Sequence, residues 1–280
     1  MPANDDVVLS VRDLSKQFGS GCEYCREQSF ELEKNMCPHC HTVFAVRDAS
    51  FDLYKGEILG IVGESGSGKS TLMKMMYFDE DATSGDYILP EDSTVEGNVF
   101  NVSSQKKRQI RNEQLGMVYQ NPILGLKMDF SSVTNIAEKL IASGSRNVGQ
   151  MTDRADHFLD KVNISLDRKY EAPKNFSGGM QQRVQIAKAL SNYPPILLLD
   201  EVTTGLDLSV QADVLELIKE IQRDMGVSMI VVSHDLAIIR MLCDRTMVML
   251  DGEVIEHGIT DQILEDPQHK YTQQLVYSIL

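Results

Sequence analysis

Apolar and polar residues alternate over 7–12 (VVLSVR) and 46–53 (VRDASFDL), the period-two pattern of strands with one face in a core. Lys55-Gly56-Glu57 reads as a turn, and the run ILGIV at 58–62 as a short strand buried on both faces. Further strand patterns fall at 86–89, 97–102 and 115–118, so the first half is expected to be β-rich. From about 131 to 192 the period changes. Ile136, Leu140 and Ile141, then Phe158, Leu159 and Val162, recur at helical spacing. After that come a strand (ILLLD from 196), a helix with Val210, Val214, Leu217, Ile218 and Ile221 inward, a strand (MIVVS) and another helix. Such alternation predicts an α/β domain with a parallel sheet, interrupted by a helical subdomain at about 121–192. No repeat or low-complexity linker divides the chain, so 1–280 reads as one domain with a tail at 258–280.

Composition narrows the classes. Lys+Arg number 27 against 41 Asp+Glu, a net charge of −14, which argues against a general nucleic-acid binder because phosphate neutralisation needs a cation surplus. No apolar run is long enough to span a bilayer, and the start MPANDD has neither a cationic region nor an apolar core of a leader. The expectation is a cytoplasmic protein.

Chemistry concentrates at a few points. Gly63-Glu-Ser-Gly-Ser-Gly68-Lys69-Ser70-Thr71 fits GxxxxGK[ST] and directly follows the buried strand, the setting that this phosphate loop requires. Its glycines let backbone N–H groups turn inward around phosphate oxygens, and the next helix offers its positive end. Lys69 would bridge the β- and γ-phosphates, and the Ser70 hydroxyl would ligate Mg²⁺. The second apolar strand ends in Asp200-Glu201. Asp200 suits Mg²⁺, directly or through water, and Glu201 suits polarisation of an attacking water. Taken alone, two acids after a strand could equally open a helix. Between these points, Ser177-Gly178-Gly179 opens a helix, with Ser177 as a natural N-cap and two glycines leaving amides accessible.

Taken together, GESGSGKST, Gln120 after 115–119, FSGGMQQR at 176–183, ILLLDE at 196–201, TGLD at 204–207 and His234 after MIVVS resemble the ATP-binding cassette (ABC) ATPases along almost the full length. The resemblance implies a P-loop ABC nucleotide-binding domain: a RecA-like core, an antiparallel β region and a helical subdomain. It implies ATP and Mg²⁺ as ligands, and a head-to-tail dimer with a second ABC subunit, itself or a paralogue, sandwiching two nucleotides. In that dimer the segment with Ser177, Gly178, Gly179 and Gln181 would face the γ-phosphate held by the other subunit's loop. Phe18 sits where the family stacks an aromatic on adenine. Gly63, Ser65, Gly66, Gly68, Lys69, Ser70 and Thr71 match the phosphate cradle, and Asp207 the TGLD turn. Gln120 matches a contact to Mg²⁺ and γ-phosphate that also couples to the partner, and His234 the family's γ-phosphate-sensing histidine, so the resemblance implies Glu201, His234 and Gln120 as the catalytic residues. Val202 stands where the family usually has proline, a position that supplies no ligand.

The tail DPQHKYTQ resembles two branches: ATPase subunits of oligopeptide and dipeptide importers, and the ATP-binding subunit associated with carbon–phosphorus lyase in phosphonate catabolism. Residues 46–71, 121–149 and 176–190 favour the second. Gly125-Leu126-Lys127-Met128 also lacks the Leu-Asn-Pro type of segment usual in peptide importers. The resemblance thus implies docking on a soluble lyase core. An importer subunit on membrane permeases, peripheral to the membrane, is the alternative reading, and a nucleotide-dependent assembly factor with slow turnover is a third.

One segment departs from the ABC pattern. Cys22-x₂-Cys25 and Cys37-x₂-Cys40 lie within an insert at 20–44, and the fifth cysteine, Cys243, sits far away in an apolar helical context. Paired thiols on tight turns match a structural Cys₄ zinc site. His39 or His41 could replace a thiolate, an Fe–S cluster takes the same ligands, and four free thiols are the plain alternative.

Overall fold

The computed structural model describes residues 6–26, 32–90, 95 and 97–278. Their contacts divide into two units, 1–102 with 232–280, and 103–231.

The first unit begins with β1 (Val7–Phe18), which pairs antiparallel with β2 (Val43–Tyr54) on one side and β4 (Ser84–Ile88) on the other. On β2, Ala49, Phe51 and Leu53 are buried in the predicted alternation, whereas on β1 Val8, Leu9, Ser10 and Val11 are buried in succession, so both faces of that strand are covered there. Between β2 and β4 lie β3 (Ile58–Val62), buried along its length, and α1 (Lys69–Met76). The strand expected at 97–102 is instead a 3₁₀ turn at Val99–Asn101. Asn98 explains the difference. Its Oδ1 accepts from Phe100 N at 2.9 Å and Tyr87 N at 3.2 Å, while Nδ2 donates to the Gly85 carbonyl at 2.9 Å. A side chain that satisfies the backbone locally competes with a ladder and wins here.

The second unit holds α2 (Ser104–Glu113), β5 (Leu115–Val118), α3 (Pro122–Gly125), α4 (Ser132–Ala142), α5 (Val148–Lys161), α6 (Gly178–Leu190), β6 (Ile196–Asp200), α7 (Leu208–Met225) and β7 (Ser228–Val232). β5 and β6 run parallel with Val118 opposite Leu199, and β7 lies beside β6. All residues of these strands are buried, which fits strands covered on both faces. Ser103, Asn147, Ser131 and Ser177 each cap a helix through the side chain, so four helix starts are legible as local chemistry. Ile136, Leu140, Phe158, Leu159 and Val162 are buried as expected, whereas Ile141, at the edge of that stripe, is half exposed.

A buried cation stands inside this unit. Lys139 on α4 donates to the Leu115 carbonyl at 2.7 Å and to that of Ala189 at 3.2 Å. Burial, then repulsion from Lys188 and Arg111, pulls its ammonium down from 10.5 to about 7. The unfolded chain therefore binds more protons between pH 7 and 10.5, so the contribution of Lys139 to stability rises with pH through that window. Lys139→Met keeps the length and removes the charge. The melting temperature of the native protein minus that of the variant should therefore grow from pH 6.5 to pH 10, by the equivalent of on the order of 3 kcal/mol. A difference that stays constant across thermal unfolding at those pH values would contradict this account.

The chain then completes the first unit with α8 (Leu236–Leu242), β8 (Arg245–Leu250), β9 (Glu253–Ile259), α9 (Thr260–Glu265) and α10 (Lys270–Tyr277). β3 runs parallel to β8, with Val62 opposite Val248, and β8 is antiparallel to β9. Cys243 packs against β3: a Cβ on Gly60 would lie 3.0 Å from its sulfur. Burial pushes that thiol far above its ordinary range, so it serves as a small apolar filler.

Candidate functional site

In the first unit, β3 delivers the chain into 63–68, and two glycines there leave no choice of residue. Gly63 has φ +152°, and a Cβ on it would meet the Met249 carbonyl at 2.2 Å. Gly68 has φ +103°, and its Cβ would meet the Ala45 carbonyl at 2.1 Å. The loop is thus pressed between β2 and β8 while Ser65 and Gly66 stay exposed. Leu72, Met73, Met75 and Met76 anchor α1, whose first turn presents Lys69, Ser70 and Thr71. Lys69 is buried, and its ammonium donates to the carbonyls of Gly63 at 2.7 Å and Glu64 at 2.8 Å, and lies 3.3 Å from Ser67 Oγ. These partners keep the charge satisfied and directed at the loop.

Three more groups of the first unit belong to the expected site or touch its loop. Phe18, at the end of β1, is 44% exposed with Lys16 Nζ 4.8 Å from its ring centre. His234 is exposed, and its neighbour Ser233 donates from N to the Ile61 carbonyl at 3.2 Å, just before the loop. Tyr271 on α10 accepts at Oη from the Glu64 amide at 2.9 Å. No motif marked this last contact. It joins positions 207 residues apart, and spacing carries no signal of it.

In the second unit, Asp200 ends β6 buried, and Glu201 follows at φ +46°. A left-handed conformation in a residue with a Cβ is uncommon, and it concentrates where function needs it. Glu201 Oε2 accepts from Gln120 Nε2 at 2.8 Å and from Thr204 Oγ1 at 3.2 Å. The parallel register of β5 on β6 is what brings Gln120 and Glu201 together. Two buried residues of α6 hold the segment before them. Gln185 accepts from Tyr119 N at 2.8 Å and donates to its carbonyl at 3.0 Å, while Gln182 donates to the Gln120 carbonyl at 3.1 Å. Sequence reasoning passed over both. Gln181, which it singled out, instead donates to the carbonyls of Pro173 and Phe176 at 3.0 and 3.1 Å.

At the N-terminus of α6, Ser177 accepts from Met180 N at 3.4 Å and is exposed together with Gly178. Gly179 is buried, since a Cβ would lie 2.3 Å from Val210. Asp207, before α7, is exposed.

The insert brings its four cysteines together. Sulfur separations are 3.8 Å for Cys22–Cys25, 3.9 Å for Cys22–Cys37 and 3.8 Å for Cys25–Cys40, and all four lie within 4.8 Å of one another. A tetrahedron of Zn–S bonds of about 2.3 Å has edges of about 3.8 Å, so the set fits that ion. His39 packs against Tyr24 at 4.4 Å, and among the described residues only the four thiols form such a cluster. The Thr42 side chain, its backbone and the neighbouring sulfurs pull the Cys40 thiol down to about 6, while burial and hydrogen bonds from the neighbouring sulfurs push the Cys22 thiol up to about 11.

A buried strand feeding a glycine loop, and a second strand ending in a carboxylate held by a glutamine, define a nucleotide-hydrolysing cassette. The chain belongs to the ABC transporter family, whose model matches residues 46–204, and is an ATP-binding cassette ATPase. It is 42% identical over 233 residues to PhnK of Escherichia coli (strain K12), a protein named for phosphonates utilization and ATP binding, across 83% of this chain and 90% of that one. It is 36% identical over 239 residues to the oligopeptide transport ATP-binding protein OppF of Bacillus subtilis (strain 168), across 85% and 77%. The dimeric ATP-binding cassette MJ0796, solved with ADP and Pi in a post-hydrolysis state, superimposes with a TM-score of 0.74 at 25% identity, over 90% of this chain and 98% of that one.

Proposed function

We propose that this chain is the ATP-hydrolysing subunit of a carbon–phosphorus lyase assembly in phosphonate catabolism, acting in the cytoplasm as a dimer around two ATP. The observation that carries the hydrolytic part is the carboxylate of Glu201, fixed at the end of β6 by Gln120 and Thr204. Backbone amides of 63–71 and Lys69 hold the β- and γ-phosphates, with Phe18 on adenine. Ser70, Asp200 and Gln120 are the residues that would hold Mg²⁺, which would supply charge neutralisation on the phosphates. Glu201 orients a water whose oxygen attacks the γ-phosphorus as the bond to the bridging oxygen breaks, and ADP leaves. His234 contacts the γ-phosphate. Ser177, Gly178 and Gly179 face the nucleotide of the other subunit, as does Asp207, and Gln181 braces that tip. A resident zinc on the four cysteines completes the insert.

The lyase assignment rests on the relative named for phosphonates utilization, matched over 90% of its length. Ile123 and Leu124, in the short α3 that follows Gln120, are exposed, an apolar surface of the kind a protein partner covers. Among the described residues no helix is long and apolar enough to cross a membrane. Purification of the tagged chain from its own cell at native level tests this. Soluble lyase subunits in stoichiometric amount are the expected companions; membrane permeases in their place would transfer the chain to an importer.

A further inference from the structure

The insert touches the phosphate loop. Its turn at 33–36 is closed by Glu33 and Met36, which exchange backbone hydrogen bonds of 2.9 and 3.1 Å. At the turn's tip, Asn35 accepts from Phe44 N at 2.7 Å through its carbonyl, and its side-chain Nδ2 lies 3.4 Å from the Gly66 carbonyl. The next residue, Ala45, is the one whose carbonyl presses on Gly68. One short stretch, 33–45, therefore contacts the loop at two points.

That stretch also contains half of the cysteine cluster. Cys37 donates from N to the Thr42 carbonyl at 2.9 Å, and His41 N donates back to Cys37 at 3.0 Å. Thr42 Oγ1 accepts from Gly21 N at 3.1 Å and lies 3.2 Å from Cys40 Sγ, which ties the two arms of the insert together. Few apolar side chains are present to hold this loop: of the described residues at 20–42, only Cys25, Cys37 and Thr42 are buried. Ordering it costs chain entropy that burial alone does not offset, and a metal cross-link from Cys22 to Cys40 removes most of that cost.

We propose that metal occupancy of the Cys22, Cys25, Cys37 and Cys40 centre sets the nucleotide affinity of the phosphate loop, with Asn35 as the positioning residue between them. This rests on the metal reading above, and the test separates the two. The full chain is prepared zinc-loaded, then chelator-stripped and desalted, then reloaded. Zinc per chain and the Kd of a fluorescent non-hydrolysable ATP analogue with Mg²⁺ are measured on each preparation. Stripping should raise Kd about threefold to tenfold, the worth of one or two hydrogen bonds, and reloading should restore it. Zinc-loaded Asn35→Ala should match the stripped protein with its zinc content intact, raise KM for ATP while leaving kcat, and show no further loss on stripping. One zinc per chain with an unmoved Kd overturns the inference and leaves the metal reading standing. A full response to metal in Asn35→Ala overturns the route through the turn. Failure to take up zinc overturns the metal reading and the inference with it.

Discussion

Glu201→Gln is expected to slow ATP turnover by about 10²–10⁴-fold, the usual worth of a positioned general base, while ATP affinity stays within about twofold of wild type. The substitution is nearly isosteric. An amide oxygen still accepts from Gln120 Nε2 and Thr204 Oγ1, so the turn at φ +46° keeps both of its side-chain anchors. Only the negative charge is lost, and with it the ability to polarise water. The phosphate cradle proposed for 63–71 is untouched. With hydrolysis blocked and binding kept, the variant should also accumulate as an ATP-bound dimer. Phosphate release and analogue binding, measured on one preparation, check both halves. Turnover near the wild-type rate would remove Glu201 from the role proposed for it. Lys69→Ala should behave in the opposite way, since it would delete the charge-assisted contact to phosphate proposed for Lys69 and so weaken binding itself.

Much of this site is legible because its chemistry is local. The glycine loop, the acids that end β6 and the cap of α6 each lie within a few residues, and each follows from backbone geometry that only certain residue types allow. The loop bears this out directly: carbonyls of Met249 and Ala45 stand where a Cβ would be on Gly63 and Gly68. What sequence reading passed over is long-range. Gln185 reaches Tyr119 across 66 positions, Tyr271 reaches Glu64 across 207, and Asn35 reaches Gly66 across 31. These are polar side chains with no periodicity, and only the folded backbone selects them. The misread at 97–102 has another cause. Its apolar pattern suited a strand, but the short amide of Asn98 supplied hydrogen bonds that the ladder could not match. Periodicity reports which face is buried; it does not report which backbone partner wins.

Ser177→Arg should abolish ATPase activity, by about 100-fold or more, although Ser177 lies far in sequence from its own chain's phosphate loop. Ser177 and Gly178 are exposed at the start of α6, and Gly179 packs where a Cβ would meet Val210, so the tip is the capped N-terminus of a helix. In a head-to-tail dimer that tip meets the partner's nucleotide, and a long cation there keeps the two surfaces apart. Loss of the N-cap alone costs about 1 kcal/mol of helix stability, so Ser177→Ala serves as the control that separates capping from obstruction. ATP binding to the variant's own loop should survive, because Lys69 and the amides of 63–71 are unchanged. The decisive step is mixing. Ser177→Arg subunits carry an intact loop, and Lys69→Ala subunits carry an intact tip. A dimer of one each then holds one complete composite site and one doubly defective site. Activity should reappear in the mixture, although neither parent has it. Full activity in the pure Ser177→Arg protein would mean that each chain hydrolyses ATP alone, and the two-nucleotide sandwich would fall.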